Sequence, residues 1–193
     1  MSVVAEPAQR TRILALARTL MSDEGAHAMS MRQLATAADL NVATIYHYFP
    51  SKADLLRAVI EERRYPDQLA AQVPVADAAL GPRERLAALL RWLLREGVAE
   101  DETWKLLIGE TVRGDATARQ EALGLVEVLD ATLAAWLTDS FPEFDGDPDG
   151  TARVIRNHLV TCFVEDQIHD GLGRDARFAE RAADLAGVVF GPR

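Results

Sequence analysis

The sequence predicts an all-α protein of about nine helices, and three observations lead to that fold class. Apolar residues recur three and four positions apart along most of the 193 residues, which is the period of an amphipathic helix. No segment stands out by alternating polar and apolar residues as a half-buried strand does. Hydrophobic residues make up 49% of the chain, which is enough for a sizeable core.

The first predicted helix lies within residues 9–26. Its apolar residues follow the i, i+3, i+4, i+7 pattern of one buried face. They are Ile13, Leu14, Ala17, Leu20 and Met21. Gly25 is well placed to end the helix, because glycine accepts the left-handed conformation of a helix C-terminus.

The second predicted helix begins after Ser30. Gln33 follows three residues later, which is the spacing of a capping box. One side of this helix is apolar, through Met31, Leu34, Ala35 and Ala38. The chain is then expected to turn at Asp39 and Leu40.

A short third helix is predicted over about residues 42–48, with Asn41 as its N-cap. Pro50 stops it. Ser51 repeats the capping pattern for a fourth helix, which is expected to continue from about residue 52 into the mid-60s. Its apolar residues are Leu55, Leu56, Val59 and Ile60.

The rest of the chain predicts further helices after a loose boundary near Pro66. The residues around 142–150 are dense in Asp, Gly and Pro, which indicates a loop. The predicted helical segments are 82–98, 102–113, 116–141, 151–170 and 174–190.

Net charge is distributed unevenly along the chain. The whole protein carries −9, but residues 1–64 carry eight basic and seven acidic residues and residues 65–193 carry thirteen and twenty-three. The acidic excess therefore lies in the second part, and the first part is not barred from nucleic acid by its charge. The single cysteine, the lack of a long apolar run and the lack of a visible signal peptide favour the cytoplasm and no membrane association.

The short third helix separates its side chains into two sides. At 100° per residue, Phe49 and Val42 lie on the same side as Ile45, which predicts that this side anchors the helix. The outward side carries hydroxyl groups suited to phosphate oxygens, and small or aromatic groups suited to base edges. Its residues are Ala43, Thr44, Tyr46, His47 and Tyr48. Lys52, in the first turn of the next helix, adds a candidate phosphate contact.

An exposed helix after a tight turn is typical of a helix-turn-helix motif. Over about residues 9–60 the chain closely resembles the TetR family of transcriptional regulators, with the segments "MRQLA", "TIYHYF" and "SKADLL" in order. The resemblance implies a DNA-binding domain over 7–67, with its motif at about 31–50, and a larger helical domain over 68–193 that binds an effector and dimerises.

The resemblance also implies a function and a set of residues near DNA. The protein is expected to be a homodimeric repressor that binds a palindromic double-stranded operator and is released by a small-molecule effector of unknown identity. Neither a cofactor nor a metal is expected. The candidate DNA-binding residues are Ser30, Arg32, Ala43, Thr44, Tyr46, His47, Tyr48 and Lys52.

One position departs from the family pattern. The turn often contains glycine where this sequence has Asp39. Glycine suits a positive φ angle, and aspartate tolerates one better than most residues do. We therefore expect the turn to be preserved.

The second part of the chain carries weaker signals. Apolar stripes on the last two predicted helices suit either a four-helix dimer interface or the chain's own core. Candidate effector-binding residues are Trp92, Trp104, Ile108, Trp136, His158 and Cys162. Four acidic residues of the second part could meet a cationic ligand, but charged residues on helices are mostly solvated; they are Glu96, Glu110, Glu165 and Asp166.

Other functions are less favoured by the sequence. His158 and Cys162 share a helix face but supply too few ligands for a metal, and a buried thiol is normally inert to redox chemistry. No catalytic or phosphate-binding motif is evident, so an enzyme is not expected. An all-helical adaptor that has lost DNA binding remains open, as does activation in place of repression.

Overall fold

The computed structural model describes residues 5–62, 77, 79–99 and 101–191. Over these ranges it contains nine α-helices and no strand, which confirms the predicted all-α fold. The helices are α1 (Ala5–Glu24), α2 (Met31–Ala38), α3 (Val42–Tyr48), α4 (Lys52–Glu61), α5 (Pro82–Ala99), α6 (Asp101–Arg113), α7 (Ala116–Ser140), α8 (Pro148–Ile168) and α9 (Arg174–Phe190). The predicted boundary near Pro66 and the end predicted for the fourth helix lie outside the described residues.

The chain divides into two compact units. The first consists of residues 1–64 and 100–124, and the second of residues 65–99 and 125–193. Helix α7 supplies residues to both units, because it continues without a break across residues 124 and 125. The domain boundary at 67/68 that the resemblance implies stays a prediction.

The core of the first unit is formed by α1, α2, α3, α4 and α6. Helix α1 contacts α2, α4 and α6, and α2 contacts α3. The predicted apolar face of α1 is buried through Ile13, Leu14, Ala17 and Met21. Leu106 and Leu107 of α6 are also buried, so this helix contributes apolar side chains as well as contacts to α1 and α4.

Local sequence determines the ends of α2. The Ser30 hydroxyl accepts from the Gln33 backbone N–H at 3.1 Å, and the Ser30 N–H donates to the Gln33 side chain at 2.7 Å. The predicted capping box is therefore present, and it satisfies two backbone donors at the helix N-terminus. At the other end Asp39 adopts the left-handed conformation, with φ of 54° and ψ of 47°.

The second unit is built on a hydrophobic cluster shared by α5, α7, α8 and α9. Leu86 and Leu90 of α5, Leu137 of α7 and Ile155 of α8 are fully buried in it. Asp166 of α8 is buried too, contrary to the expectation of a solvated carboxylate. Its two oxygens accept from Arg174 at 2.9 Å and Arg177 at 2.7 Å, which compensates the cost of burying the charge.

Helix α8 begins earlier than the sequence predicts. Pro148 opens it within the predicted loop, and the Asp147 side chain accepts from the Asp149 backbone N–H at 3.1 Å. Proline suits a first-turn position because its missing N–H is not needed there. No helix in the described ranges is both long and apolar enough to cross a lipid bilayer.

The left-handed Asp39 generates a prediction about stability. Replacing Asp39 with glycine should raise the free energy of unfolding by about 0.5–1 kcal/mol, because glycine adopts this conformation without a Cβ clash. Replacing it with valine should lower that free energy by about 1–2 kcal/mol, because a β-branched residue is strained there. Urea denaturation followed by circular dichroism measures both. Equal stability of the two variants would contradict the conformational argument.

Candidate nucleic-acid interface

Helix α3 is anchored by one side, as the sequence predicts. Ile45 and Phe49 are buried, and the Phe49 N–H donates to the Ile45 carbonyl at 2.9 Å. The Asn41 side chain accepts from the Ala43 N–H at 2.9 Å and caps the start of the helix. Packing on one side and a cap at one end together fix the direction of the other side.

The outward side of α3 reaches solvent. Ala43, Tyr46 and His47 are exposed, whereas Thr44 and Tyr48 are half-buried. Tyr46 has 47% of its surface exposed, which is a large fraction for an aromatic side chain. The exposed hydroxyl, imidazole and methyl groups are of the kinds that bond to phosphate oxygens or approach base edges in DNA.

Tyr48 is held by helix α1. Its hydroxyl donates to the Gln9 side-chain oxygen at 2.9 Å, and its ring meets the His47 ring edge-on at a centroid distance of 5.7 Å. The Tyr48 hydroxyl is therefore occupied as a donor in this structure. It can still accept a hydrogen bond, but it cannot donate to a phosphate without releasing Gln9.

Arg10 lies at the end of α3 and is not among the residues predicted from the sequence. Its guanidinium lies 5.4 Å from the centre of the Phe49 ring, directly after α3. Arg10 itself is exposed, so its charge lies in solvent beside the end of α3. No local motif connects residues 10 and 49, and only the packing of α1 on the motif brings them together.

Ser30 and Arg32, at the start of α2, differ in the hydrogen-bond donors that they can offer to a phosphate. The Ser30 hydroxyl already accepts a hydrogen bond as part of the capping box, so only its own O–H remains to donate to a ligand. Arg32 is exposed one residue inside the helix. Among these two, the arginine offers the stronger charge-assisted contact to a phosphate.

The Lys52 side chain is hydrogen-bonded to the loop before α2. Its ammonium donates to the His27 carbonyl at 2.6 Å. Partial burial lowers the pKa of Lys52, and the nearby carboxylates of Glu110 and Asp115 act in the opposite direction. One of its three N–H donors is thus used to hold the loop before α2, and two remain for a phosphate.

Comparison with known proteins shows the family to which the chain belongs. The model of the family described as bacterial regulatory proteins, tetR family, matches residues 13–59. The transcriptional repressor KstR of Rhodococcus jostii (strain RHA1) is 30% identical over 161 residues, which cover 83% of this chain and 73% of KstR. The chain belongs to the TetR family. It is a DNA-binding transcriptional regulator of helix-turn-helix type.

Solved structures agree on the fold of this TetR-family protein. Salmonella enterica GusR has a TM-score of 0.75 with 21% identity, over 96% of each chain. AibR, solved in complex with isovaleryl coenzyme A and operator DNA, has a TM-score of 0.62 with 21% identity, over 96% of this chain and all of AibR. At this level of identity the likeness concerns the fold alone.

The candidate effector residues of this TetR-family protein are divided between the two units. Trp104 and Ile108 are half-buried in the first unit. In the second unit Trp92 and Trp136 pack on the main hydrophobic cluster, and Cys162 packs with Leu94 and Phe178. His158 has its Nε2 atom 3.0 Å from the Arg181 carbonyl. Four of the six candidates therefore lie in one unit, and their role stays a prediction.

An open cleft of about 840 Å³ in the second unit was not predicted. It lies at the end of α5 and the start of α9, and its lining includes Arg95, Arg174 and Asp175. Arg95 is paired with Asp175 at 2.9 Å, and Arg174 with Asp166. None of its described lining residues is an effector candidate from the sequence. The cleft is formed by helix ends and a loop, and such residues follow no helical repeat that a sequence pattern could reveal.

Cys162 generates a prediction about reactivity. Burial is the main cause that raises the pKa of the Cys162 thiol to about 11, and the negative charge of Glu165 adds to it. At pH 8 almost all of this cysteine is therefore the neutral thiol. Only the thiolate is nucleophilic. Alkylation by iodoacetamide at pH 8 should therefore be about 100-fold slower in the native protein than in the chain unfolded by guanidinium chloride, and should accelerate as the pH rises toward 11.

The chain has one cysteine, so mass spectrometry of the alkylated protein reports on Cys162 without competition. A native rate within about tenfold of the unfolded rate at pH 8 would show an accessible thiolate. That result would reopen a redox role for this residue.

Proposed function

We propose that this TetR-family protein is a homodimeric repressor that acts in the cytoplasm. It binds a palindromic operator through α3 of each subunit, the recognition helix, and is released by a small-molecule effector held in the second unit. The observation that carries the proposal is the division of α3 into a buried anchor, Ile45 with Phe49, and an exposed side with Tyr46 and His47.

The DNA surface is completed by groups outside α3. Positive charge near the recognition helix comes from Arg10, Arg32 and Lys52. Arg10 lies against the Phe49 ring at the end of α3, Lys52 begins α4 directly after the motif, and Arg32 is exposed on α2, which contacts α3. Thr44 and Tyr46 are proposed to contact phosphates, and Ala43 and His47 to approach base edges. Ser30 and Tyr48 are proposed to lie at the edge of the complex, since both already hold protein groups.

Dimerisation is supported by a second apolar face on α8. The face buried in the chain's own core carries Ile155 and Cys162. At 100° per residue the opposite face carries Val154, Val160, Val164 and Ile168, all exposed, with Ile168 at 75%. A row of exposed aliphatic residues along a helix is typical of a protein interface, and a copy of the same helix satisfies it in a two-fold dimer.

Effector release is supported by composition and connectivity. The second unit holds two tryptophans, Trp92 and Trp136, against an apolar cluster with His158 and Cys162 on α8. Aromatic groups with a few polar groups suit a small-molecule site. Helix α7 joins this unit covalently to the first, so an effector that prefers one conformer has a route by which to change DNA affinity. The coenzyme A thioester in the AibR complex is an example of an effector class to screen.

The first prediction of the proposal concerns operator selection. Selection of duplexes from a random DNA library by the purified protein should enrich an inverted repeat, with half-sites about one helical turn apart. Tyr46→Ala should lose the enrichment, and Tyr46→Phe should retain part of it because the ring remains. Sequencing of the selected DNA gives the result. Failure of the wild type to enrich any sequence would overturn the repressor proposal for the ligand-free protein and favour an adaptor.

The salt dependence of operator binding separates phosphate contacts from other contacts. Arg10→Ala should reduce the slope of log K against log salt by about 0.9 for each phosphate that Arg10 neutralises in the wild-type complex. Arg91→Ala, which removes the same charge from an exposed position in the second unit, is the matched control and should leave the slope unchanged. Equal slopes for Arg10→Ala and the wild type would remove Arg10 from the proposed surface.

The third prediction concerns the oligomeric state. Val164→Arg places a charge in the middle of the exposed apolar face of α8 and should shift the protein from dimer to monomer in sedimentation velocity, because an unpaired buried charge is costly. Val112→Arg makes the same change at a valine of the first unit that is 80% exposed, and should remain dimeric. A Val164→Arg protein that sediments as the wild type does would place the interface elsewhere.

A further inference from the structure

Glu110 of helix α6 is buried and accepts hydrogen bonds from two groups. The residue is only about 1% exposed, and its Oε1 atom accepts from the Ala26 backbone N–H at 2.9 Å. The same oxygen accepts from the Arg113 guanidinium at 2.7 Å. Ala26 is itself buried, so its N–H has no access to water and depends on this carboxylate.

The loop that contains Ala26 is held from a second helix as well. Lys52, at the start of α4, donates to the carbonyl of the next residue, His27, at 2.6 Å. Gly25 has a φ angle of +87°, and a Cβ atom there would lie 3.3 Å from Oε1 of Glu110. Three successive loop residues thus lie against groups from α4 and α6, and we name residues 25–29 the entry loop.

The entry loop leads directly into the DNA-binding motif. Met29 at its end is buried, Ser30 caps α2, and α2 packs against α3. The position of the recognition helix therefore depends on where the entry loop is held. Glu110 lies far beyond α3 in the sequence, yet it belongs to the same compact unit.

We propose that Glu110 is a positioning residue for DNA binding, which fixes the recognition helix by holding the entry loop through the Ala26 N–H. This inference rests on the proposed function and deepens it. Glu110 itself contacts no DNA in this proposal. It acts through the loop, α2 and α3 in turn.

The proposal distinguishes two kinds of DNA binding. Operator recognition needs both recognition helices of a dimer in register, so a loose entry loop weakens it. Non-specific binding depends on phosphate neutralisation and tolerates a mobile motif. Removal of the Glu110 carboxylate should therefore reduce the ratio of specific to non-specific affinity. A smaller fraction of folded protein would weaken both kinds of binding equally and leave that ratio unchanged.

The test compares variants of the full-length protein. Glu110→Ala removes the acceptor, and Glu110→Gln keeps an oxygen that can accept from Ala26. Glu121→Gln is the matched control, because Glu121 is an acidic residue of the same unit that pairs with Arg57 of α4 at 3.3 Å. The readouts are hydrogen exchange of the Ala26 amide, and dissociation constants for the selected operator and for a scrambled duplex.

Glu110→Ala is expected to speed exchange at Ala26 by about tenfold or more, since the variant lacks a buried hydrogen bond to a charged group. Its operator dissociation constant should rise by about tenfold, and that for scrambled DNA by less than about twofold. Glu110→Gln should stay within about threefold of the wild type in all three measurements, and Glu121→Gln should match the wild type.

If Glu110→Ala does not fold, Glu110→Asp serves instead. Its carboxylate is one methylene short of Ala26 and can still meet Arg113, whose side chain is 61% exposed and free to follow. The inference alone is overturned if the wild type selects an operator and Glu110→Ala, or Glu110→Asp in its place, exchanges and binds as the wild type does or weakens on both kinds of DNA equally. A wild type that selects no operator fails the proposed function instead, and the exchange of Ala26 then shows separately whether Glu110 holds the loop.

Discussion

Helix α3 has only seven residues, so contacts with the rest of the first unit must hold its position, and the proposed DNA-binding surface depends on those contacts. Isolated helices shorter than about 12–15 residues are marginal in water, so α3 exists because its surroundings hold it. Burial of Ile45 and Phe49 supplies most of that support, and the Asn41 cap and the Tyr48 hydrogen bond to Gln9 fix its ends. Every exposed group on α3 takes its direction from contacts on the other side.

The same dependence extends to residues that are distant in sequence. A buried backbone N–H must find an acceptor, and for Ala26 the acceptor is a carboxylate on α6. Arg18 of α1 pairs with Glu102 at 3.2 Å, and Arg57 of α4 with Glu121 at 3.3 Å. The first unit is thus completed by residues 100–124, so its polar framework is not contained in the helix-turn-helix segment alone.

The local features of this framework are readable from the sequence and the distant ones are not. Periodicity, the Ser30 capping box and the tolerance of Asp39 for a left-handed turn depend on residues within a few positions of each other, and all three are found in the structure. The pairing of Arg10 with Phe49 and of Glu110 with Ala26 depends on packing between helices. In sequence Glu110 is an acidic residue on an amphipathic helix, which is typical of a solvated face, and only the fold gives it a buried partner.

The low net charge of the first unit makes the contacts that hold α3 important for the proposed DNA binding. Residues 1–64 carry a net charge of +1, and residues 100–124 carry three basic and six acidic residues, so the first unit is slightly acidic as a whole. Overall attraction to a phosphate backbone is therefore weak, and the proposed operator binding relies on a few cations together with close fit of the α3 surface. Affinity that rests on fit is sensitive to small displacements of the recognition helix. Under the proposed function, a movement of the entry loop or of a helix that holds α3 would therefore change operator affinity without changing any DNA contact directly.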